Sequence, residues 1–241
     1  MAITLNNGFK MPIIGLGVWR MEKNLIRDLL LNAIKLGYRH FDCAADYGNE
    51  AEVGEVLSEA LRSGLVKRED LFITTKLWNS DHGHILEACK DSLKKLKLEY
   101  LDLYLVHFPI ATRHTGVGTT DSALGEDGVL DIDTTISLET TWHAMEDLVS
   151  KGLVRSIEFS CLLRQDLSKK YDKSPAQIAL RWGIQRNTVV IPKSSRMERL
   201  KENFDVLDFE LSDEDMDLIK KMDRRYRTNT PAKFWGIDFY A

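Results

Sequence analysis

Between Gly15 and Met222 the chain alternates short apolar segments of strand character with amphipathic segments of helical period, and this alternation limits the fold more than any other feature. GLGVW is followed by the helical NLIRDLLLNAIKLG, which stops at Gly37. RHFDCA then precedes EAEVGEVLSEALRSG, DLFITTKLW precedes HILEACKDSLKKLK, and YLDLYLVHF closes the first run. Apolar strands joined by helical crossovers pack as a parallel sheet, and this many sequential units specify an α/β barrel or a doubly wound sheet. Six strands of this type are predicted, at 14–18, 39–43, 71–76, 101–107, 153–159 and 188–192. A closed TIM barrel needs eight. Ahead of them, residues 1–13 read as a hairpin, with Asn7 and Gly8 supplying the turn in TLNNGFKMPII.

An apolar share of 44% over 241 residues is enough for one well-buried domain spanning 1–241. The net charge is only -4 and no long block of one sign occurs, which argues against nucleic acid or a membrane surface and leaves a small molecule as the expected partner. Cys43, Cys89 and Cys161 are odd in number and lack CxxC spacing, so they read as reduced thiols in a cytosolic protein. No leader pattern opens the chain, and no apolar run approaches the ~18 residues of a membrane span.

Residues 109–136 are polar and Gly-rich with little periodicity, a long loop after the fourth strand of the kind that carries function. LETTWHAMEDLVSKG and LVRSIEF resume the alternation. SPAQIALRWGIQR begins a helix with Ser174 as N-cap, Pro175 at the first position and Gln177 completing a capping box. TVVIPKSS, MERLKENFDVL and SDEDMDLIKKM follow as strand, helix and helix, and the tail, 223–241, is irregular and aromatic.

Polar or ionisable residues stand at the C-terminal ends of three successive strands: Asp42, Lys76 and His107. Consecutive βα units wind in one direction, so these ends lie side by side at the face where barrels build active sites. One such residue alone reads as a rim charge; three in register do not. Tyr47, just before the second helix, can fold over the same mouth. A phenol of pKa ~10 is a poor acid at neutral pH, and a neighbouring ammonium such as Lys76, held charged by Asp42, should bring that value down. A neutral His107 could polarise a substrate carbonyl, and Tyr47 could protonate the alkoxide formed on reduction.

A second cluster is basic. Lys193, Ser194, Ser195, Arg196 and Arg199 fall between the last strand and the first turn of the next helix, a common barrel phosphate site where helix-start N–H groups add to the side chains. Neither GxGxxG after a strand nor GxxxxGK[ST] occurs, so a dinucleotide would not be held in Rossmann or P-loop fashion. His82 and His84 in DHGH point apart near a helix start and read as surface residues, not metal ligands.

Taken in order, GLGVW, FDCAADYGNE, TTKLWN, LDLYLVHFP and IPKSSRMERLKENF resemble the aldo-keto reductase family, a TIM-barrel family, over nearly the whole chain. The resemblance implies that Asp42, Tyr47, Lys76 and His107 form the catalytic tetrad. It also implies that Pro192, Lys193, Ser194, Ser195 and Arg199 hold the 2'-phosphate end of NADPH, with Glu202 and Asn203 near the adenine and Ser160 on the nicotinamide carboxamide. Trp19, Trp78, His107 and Phe108 or Pro109 would line the substrate pocket, with Trp235 and Tyr240 of the tail closing its mouth. Within the family, GFKMPIIGLGVW and KFWGIDFYA are most similar to the plant aldose-6-phosphate reductases, which implies a sugar-phosphate aldehyde as substrate and a monomeric enzyme.

The chain departs from that pattern at one place. The family continues its fifth strand with Gly-x-Ser-Asn; here Glu158 takes the glycine position, Ser160 keeps the serine and Cys161 replaces the asparagine. Only the 14 residues Ser160 to Lys173 then precede the SPAQ helix, where the family has two more strands that bring a Gln and a Tyr to the nicotinamide. The expected result is a barrel short of about two βα units: six parallel strands plus the hairpin, two strand edges open to self-association, lowered stability and poorer nicotinamide placement. Two rival readings follow, a non-catalytic chain that binds a nucleotide or partner through Lys193 and Arg199, and a metal-dependent barrel hydrolase using His82 and His84.

Overall fold

The computed structural model describes residues 1–159, 171 and 173–221. Ser160, Cys161, the rest of the shortened interval up to Lys170, Trp235, Tyr240 and the whole 223–241 tail lie outside the described residues.

The opening hairpin forms as predicted: β1 (Ala2–Thr4) pairs antiparallel with β2 (Lys10–Pro12). Five strands then follow in sequential order as one parallel sheet: β3 (Leu16–Gly17), β4 (His40–Asp42), β5 (Phe72–Leu77), β6 (Leu103–Val106) and β7 (Ile157–Phe159). Helices α1 (Lys23–Leu36), α2 (Glu50–Arg62), α3 (Ile85–Leu96) and α4 (Leu138–Ser150) make the crossovers. Each helix buries one stripe. In α1 it is Ile26, Leu29, Leu30, Ala33 and Ile34, the i, i+3, i+4, i+7, i+8 pattern of a face on a core. Gly37 ends α1 at φ 106, a left-handed conformation that a side chain would resist.

Alternation along the strands sorts the two faces of the sheet. Phe41, Ile73, Leu77, Tyr104 and Val106 pack outward against the helices. Phe72, Leu103 and Leu105 face the opposite way, where Met11, Ile3 and Leu5 of the hairpin region and Val189 cover them. The hairpin is thus the floor of the barrel interior, and each such side chain contributes about 1.5–3 kcal/mol by leaving water. By the same two-residue period His40 and Asp42 of β4, and Thr74 and Lys76 of β5, belong to the interior face.

A strand was expected over 188–192; the structure has instead one parallel bridge, Ile14 to Val190. Three backbone hydrogen bonds support it: Val190 N–H to the Ile13 carbonyl (2.9 Å), Gly15 N–H to the Val190 carbonyl (2.9 Å) and Gly17 N–H to the Pro192 carbonyl (3.2 Å). Among the described residues this segment is bonded on one side only, Pro192 has no N–H to give, and Ile191 is left 37% exposed. The order is therefore 190–192, β3, β4, β5, β6, β7, with no ladder joining the two ends among the described residues.

Beyond the gap, α5 (Pro175–Gln185), α6 (Met197–Phe204) and α7 (Asp213–Lys221) complete the chain. The capping box of α5 is present: Gln177 N–H donates to Ser174 Oγ (3.3 Å) and Ser174 N–H to Gln177 Oε1 (3.0 Å). Composition marks 109–136 as irregular, yet the loop folds back on itself through the antiparallel bridges Thr112–Ile132 and Leu124–Leu130. It is tied down by Thr112 N–H on the Asn79 carbonyl (3.0 Å) and Trp78 Nε1–H on the Asp121 carbonyl (2.8 Å). The surface reading of His82 is overturned: it is buried, with Nδ1 3.0 Å from Thr141 Oγ1, because the loop and α4 close over the turn after β5. His84 is exposed and stacks on His114.

Candidate active site

Asp42 ends β4, Lys76 lies one residue from the end of β5, and His107 follows β6 directly; these three strands are neighbours. Tyr47 is brought back over them by a single helical turn, Ala45–Tyr47, that ends at Gly48. The ammonium of Lys76 is the centre of the group. It donates to Asp42 Oδ2 (2.8 Å), to the Cys43 carbonyl (2.8 Å) and to Tyr47 Oη (2.9 Å). A lysine ammonium has three N–H donors, and all three are used here. Tyr47 Oη therefore accepts from Lys76, which leaves its own O–H free to donate to another group.

The electrostatics follow from burial. Lys76 is 4% exposed; burial opposes its charge, but Asp42 and then Tyr47 more than offset it, and its pKa is raised. The salt bridge is consequently one in which neither partner tolerates removal of the other. For Tyr47 burial is the larger influence and raises the pKa, whereas Lys76 lowers it as the sequence led us to expect. The net direction is upward, so Tyr47 holds its proton at neutral pH.

His107 is neutral. Burial, then the Lys76 charge, pushes its pKa down to about 3, and its Nδ1 is buried without a hydrogen-bond partner. Its ring meets Tyr47 edge-on, with centroids 5.9 Å apart. Trp78 approaches it edge-on at 5.5 Å and Phe108 stacks on it at 4.8 Å. Of the residues expected to line a pocket, Trp78 is a buried wall, Trp19 is 49% exposed on the rim beyond β3, and Pro109 is exposed. Trp235 is outside the described residues. The arrangement supplies a protonated phenol, a cation able to stabilise the phenolate left behind, and a neutral imidazole, set together in a largely buried cluster.

The basic cluster sits beyond Val190 on the other side of β3. Lys193 is exposed and donates to Ser195 Oγ (2.8 Å), while buried Ser194 accepts from Arg196 N–H (3.0 Å). Helix α6 has Arg196 as its N-cap residue and no side-chain cap hydrogen bond, so its first N–H groups remain available. Among the described residues Lys193, Arg196 and Arg199 have no carboxylate partner, and Arg196 and Arg199 are exposed. Glu202 is half-buried and Asn203 buried on the same helix. Uncompensated cations at an uncapped helix start fit a phosphate ester. The Pro192 carbonyl is taken by Gly17.

Four contributors escaped the sequence reading. The Cys43 carbonyl is a backbone acceptor and leaves no side-chain signal. Buried Asn49 donates from Nδ2 to the Val18 carbonyl (3.0 Å), fastening the Tyr47 segment to the end of β3. Glu50, almost fully buried, accepts from Thr75 Oγ1 (2.6 Å) and Ser92 Oγ (3.1 Å) and so locks α2 and α3 behind the strand that carries Lys76. Nothing in the local pattern around Asn49 and Glu50 reports that either side chain is buried. His40 is buried in the interior beneath Asp42 with Nε2 3.1 Å from Thr74 Oγ1, and Gly15 passes so close that a Cβ there would meet the imidazole at 2.6 Å.

Comparison with known proteins agrees with this geometry. The profile of the aldo/keto reductase family matches residues 13–162 and 161–224, two pieces that meet where the strand pattern is interrupted. The NADP-dependent D-sorbitol-6-phosphate dehydrogenase of Malus domestica is 51% identical over 307 residues, covering 99% of this chain and 99% of that protein. The NAD(P)H-dependent D-xylose reductase I,II of Candida tropicalis is 35% identical over 323 residues, covering 99% and 97%. Aligned spans of 307 and 323 exceed the 241 residues of this chain, so an internal stretch of each relative has no counterpart here. The structure of the aldose reductase from Schistosoma japonicum superposes with a TM-score of 0.89 at 34% identity, covering 98% of this chain and 97% of that one. The chain belongs to the aldo/keto reductase family, as a barrel that lacks about two of the family's βα units.

Proposed function

We propose that this chain is an NADPH-dependent reductase that converts the aldehyde of an aldose, an aldose 6-phosphate foremost, into the alditol phosphate, with Tyr47 as proton donor. The observation that carries the reading is the threefold donation by Lys76, which fixes Tyr47 as an acceptor from the ammonium and so frees its O–H for a carbonyl oxygen. NADPH, when bound, supplies the reducing equivalent. Neutral His107 donates a second hydrogen bond to the same oxygen, and as the Tyr47 proton is transferred the Lys76 charge stabilises the phenolate that remains. Asp42 keeps Lys76 charged through the cycle. Lys193, Ser194, Ser195 and Arg199 hold the adenosine 2'-phosphate, with Glu202 and Asn203 on the adenine side, and these cations favour NADPH over NADH.

The sorbitol-6-phosphate dehydrogenase relative supports a phosphorylated substrate. No helix among the described residues is long and apolar enough to cross a membrane. Cys43 and Cys89 are buried free thiols, which supports our reading of a cytosolic enzyme acting on a small molecule. Incubation of the purified chain with NADPH and glucose 6-phosphate or mannose 6-phosphate tests the reading by product analysis. We expect alditol phosphate in a one-to-one ratio to cofactor consumed; tight NADPH binding with no alditol phosphate formed would support the non-catalytic, nucleotide-binding alternative instead.

A further inference from the structure

Helix α2 opens without the cap that its residues could supply. Asn49 is its N-cap residue and Asn is among the best capping side chains, yet no side-chain cap hydrogen bond forms. Asn49 donates instead to the Val18 carbonyl at the end of β3 (3.0 Å), and the next side chain, Glu50, turns onto β5. Glu50 is 2% exposed, and among the described residues no cation forms an ion pair with it. Lys95, whose charge reaches it, is bonded to Asp91 (2.6 Å) and to the Gly118 carbonyl (3.2 Å). A carboxylate enclosed in this way carries a desolvation cost that an apolar side chain of similar size would not.

What that carboxylate holds is a closed ring. It accepts from Thr75 Oγ1 (2.6 Å) and from Ser92 Oγ (3.1 Å). Thr75 immediately precedes Lys76 on β5, and Glu50 follows Tyr47 across Gly48 and Asn49. From Tyr47 the path runs along the backbone to Glu50, crosses to Thr75, steps to Lys76, and returns to Tyr47 Oη over the 2.9 Å hydrogen bond from the ammonium. Both crossings join the same two segments, so the length of one constrains the other. Thr75 and Lys76 project to opposite faces of the strand, Thr75 toward α2 and Lys76 into the interior. The Tyr47 segment is thus fixed from behind the sheet as well as from inside it. Ser92 lies on α3 and bonds the other oxygen, outside the ring.

We propose that Glu50, acting through Thr75, is a positioning residue that sets the contact between Lys76 and the Tyr47 hydroxyl, and with it the readiness of Tyr47 to release its proton. This rests on the reading of Tyr47 as proton donor and adds to that function a residue on the far side of the sheet. An ammonium at hydrogen-bond distance stabilises a phenolate well; both the Coulomb attraction and the hydrogen bond weaken as the two separate. Without the Thr75 hydroxyl the first turn of α2 is held to β5 by packing alone. The Tyr47–Lys76 contact then loosens and the phenolate loses part of its support.

The test compares Thr75→Val and Thr75→Ala, which remove the hydroxyl, with Thr75→Ser, which restores it, and with Ser92→Ala, which cuts the other bond to the same carboxylate and leaves the ring closed. Two readouts are taken: steady-state NADPH oxidation with glucose 6-phosphate, and carbon NMR of chain labelled at tyrosine Cζ, with Tyr47 assigned by its loss in Tyr47→Phe. Thr75→Val and Thr75→Ala should lower kcat by about tenfold, leave KM for both substrates within about twofold, and raise the solvent deuterium isotope effect on kcat. They should also move the Tyr47 resonance, and Thr75→Ser should return both readouts toward wild type. Ser92→Ala should melt at a lower temperature yet keep kcat and the Tyr47 resonance. An equal loss of kcat in Ser92→Ala, or a Tyr47 resonance unmoved in folded Thr75→Val and Thr75→Ala, would overturn the proposal and leave Glu50 a packing group. Wild-type chain that binds NADPH without oxidising it would sink the reductase reading, and the resonance would still decide the positioning: a shift in Thr75→Val absent from Ser92→Ala supports it, and no shift overturns it.

Discussion

The two sides of this molecule are built to different standards. From β3 to β6 every strand has a partner on each side, the interior is floored by the hairpin, and the residues around Lys76 are almost wholly enclosed. From β7 to 190–192 no ladder forms among the described residues: β7 is bonded to β6, the later segment meets β3 at one bridge, and Ile191 faces solvent. The side chains we propose as catalytic all belong to the first region, and the basic cluster proposed to hold the cofactor phosphate belongs to the second. On that reading, loss of two βα units from a barrel would separate proton transfer, whose proposed apparatus is local to three adjacent strands, from cofactor placement, which would depend on strands far apart in sequence.

Breaking the intact side should have the largest effect. Lys76→Met leaves Asp42 buried and unpaired, and we expect it to cost about 3–5 kcal/mol in urea unfolding and to lower turnover by about two to four orders of magnitude. Amide hydrogen exchange would sharpen the contrast: Thr74, Lys76 and Leu105 should exchange only with global unfolding, and Val189 and Ile191 through local opening that is several kcal/mol cheaper. Uniform protection of the two regions would show that the gap is closed in solution.

On the weaker side, Lys193→Ala should reduce NADPH affinity by about tenfold while sparing NADH, because it removes one charge-assisted contact. Acid should act on both. Burial holds His40 and His82 at about 4, and burial with Lys76 holds His107 at about 3, each below the ordinary histidine value. The unfolded chain takes up protons that the folded chain refuses, so stability present above pH ~6.5 is lost as pH falls, by about 1.4 kcal/mol per pH unit for each histidine. Asp81, pushed up to about 6 by burial, works in the opposite sense and offsets about one of them below that pH. Thermal melts between pH 7 and 5 should fall accordingly; a flat profile would mean that these imidazoles are hydrated. The smallest effect concerns α5: Ser174→Ala should cost about 1 kcal/mol through loss of the capping box.

The legible parts were those set by short-range chemistry. Gly37, the Asn7–Gly8 turn and the Ser174–Gln177 box specify backbone conformations directly, and strict alternation with right-handed crossovers places Asp42, Lys76 and His107 side by side. The direction of the Tyr47 shift was less accessible, because it depends on how deeply the ring is enclosed, which no local pattern reports. His82 was read as exposed for the same reason: the loop and helix that bury it come more than twenty residues later.

The most direct test is the rate of NADPH oxidation by the purified chain with glucose 6-phosphate, wild type against Tyr47→Phe. We expect measurable turnover that falls by at least about two orders of magnitude in the variant, since the proton donor stands on the intact side of the barrel. Equal rates in the two proteins, or no oxidation by folded wild-type chain that binds NADPH, would contradict the assignment of Tyr47 and the claim that the intact side is sufficient for catalysis.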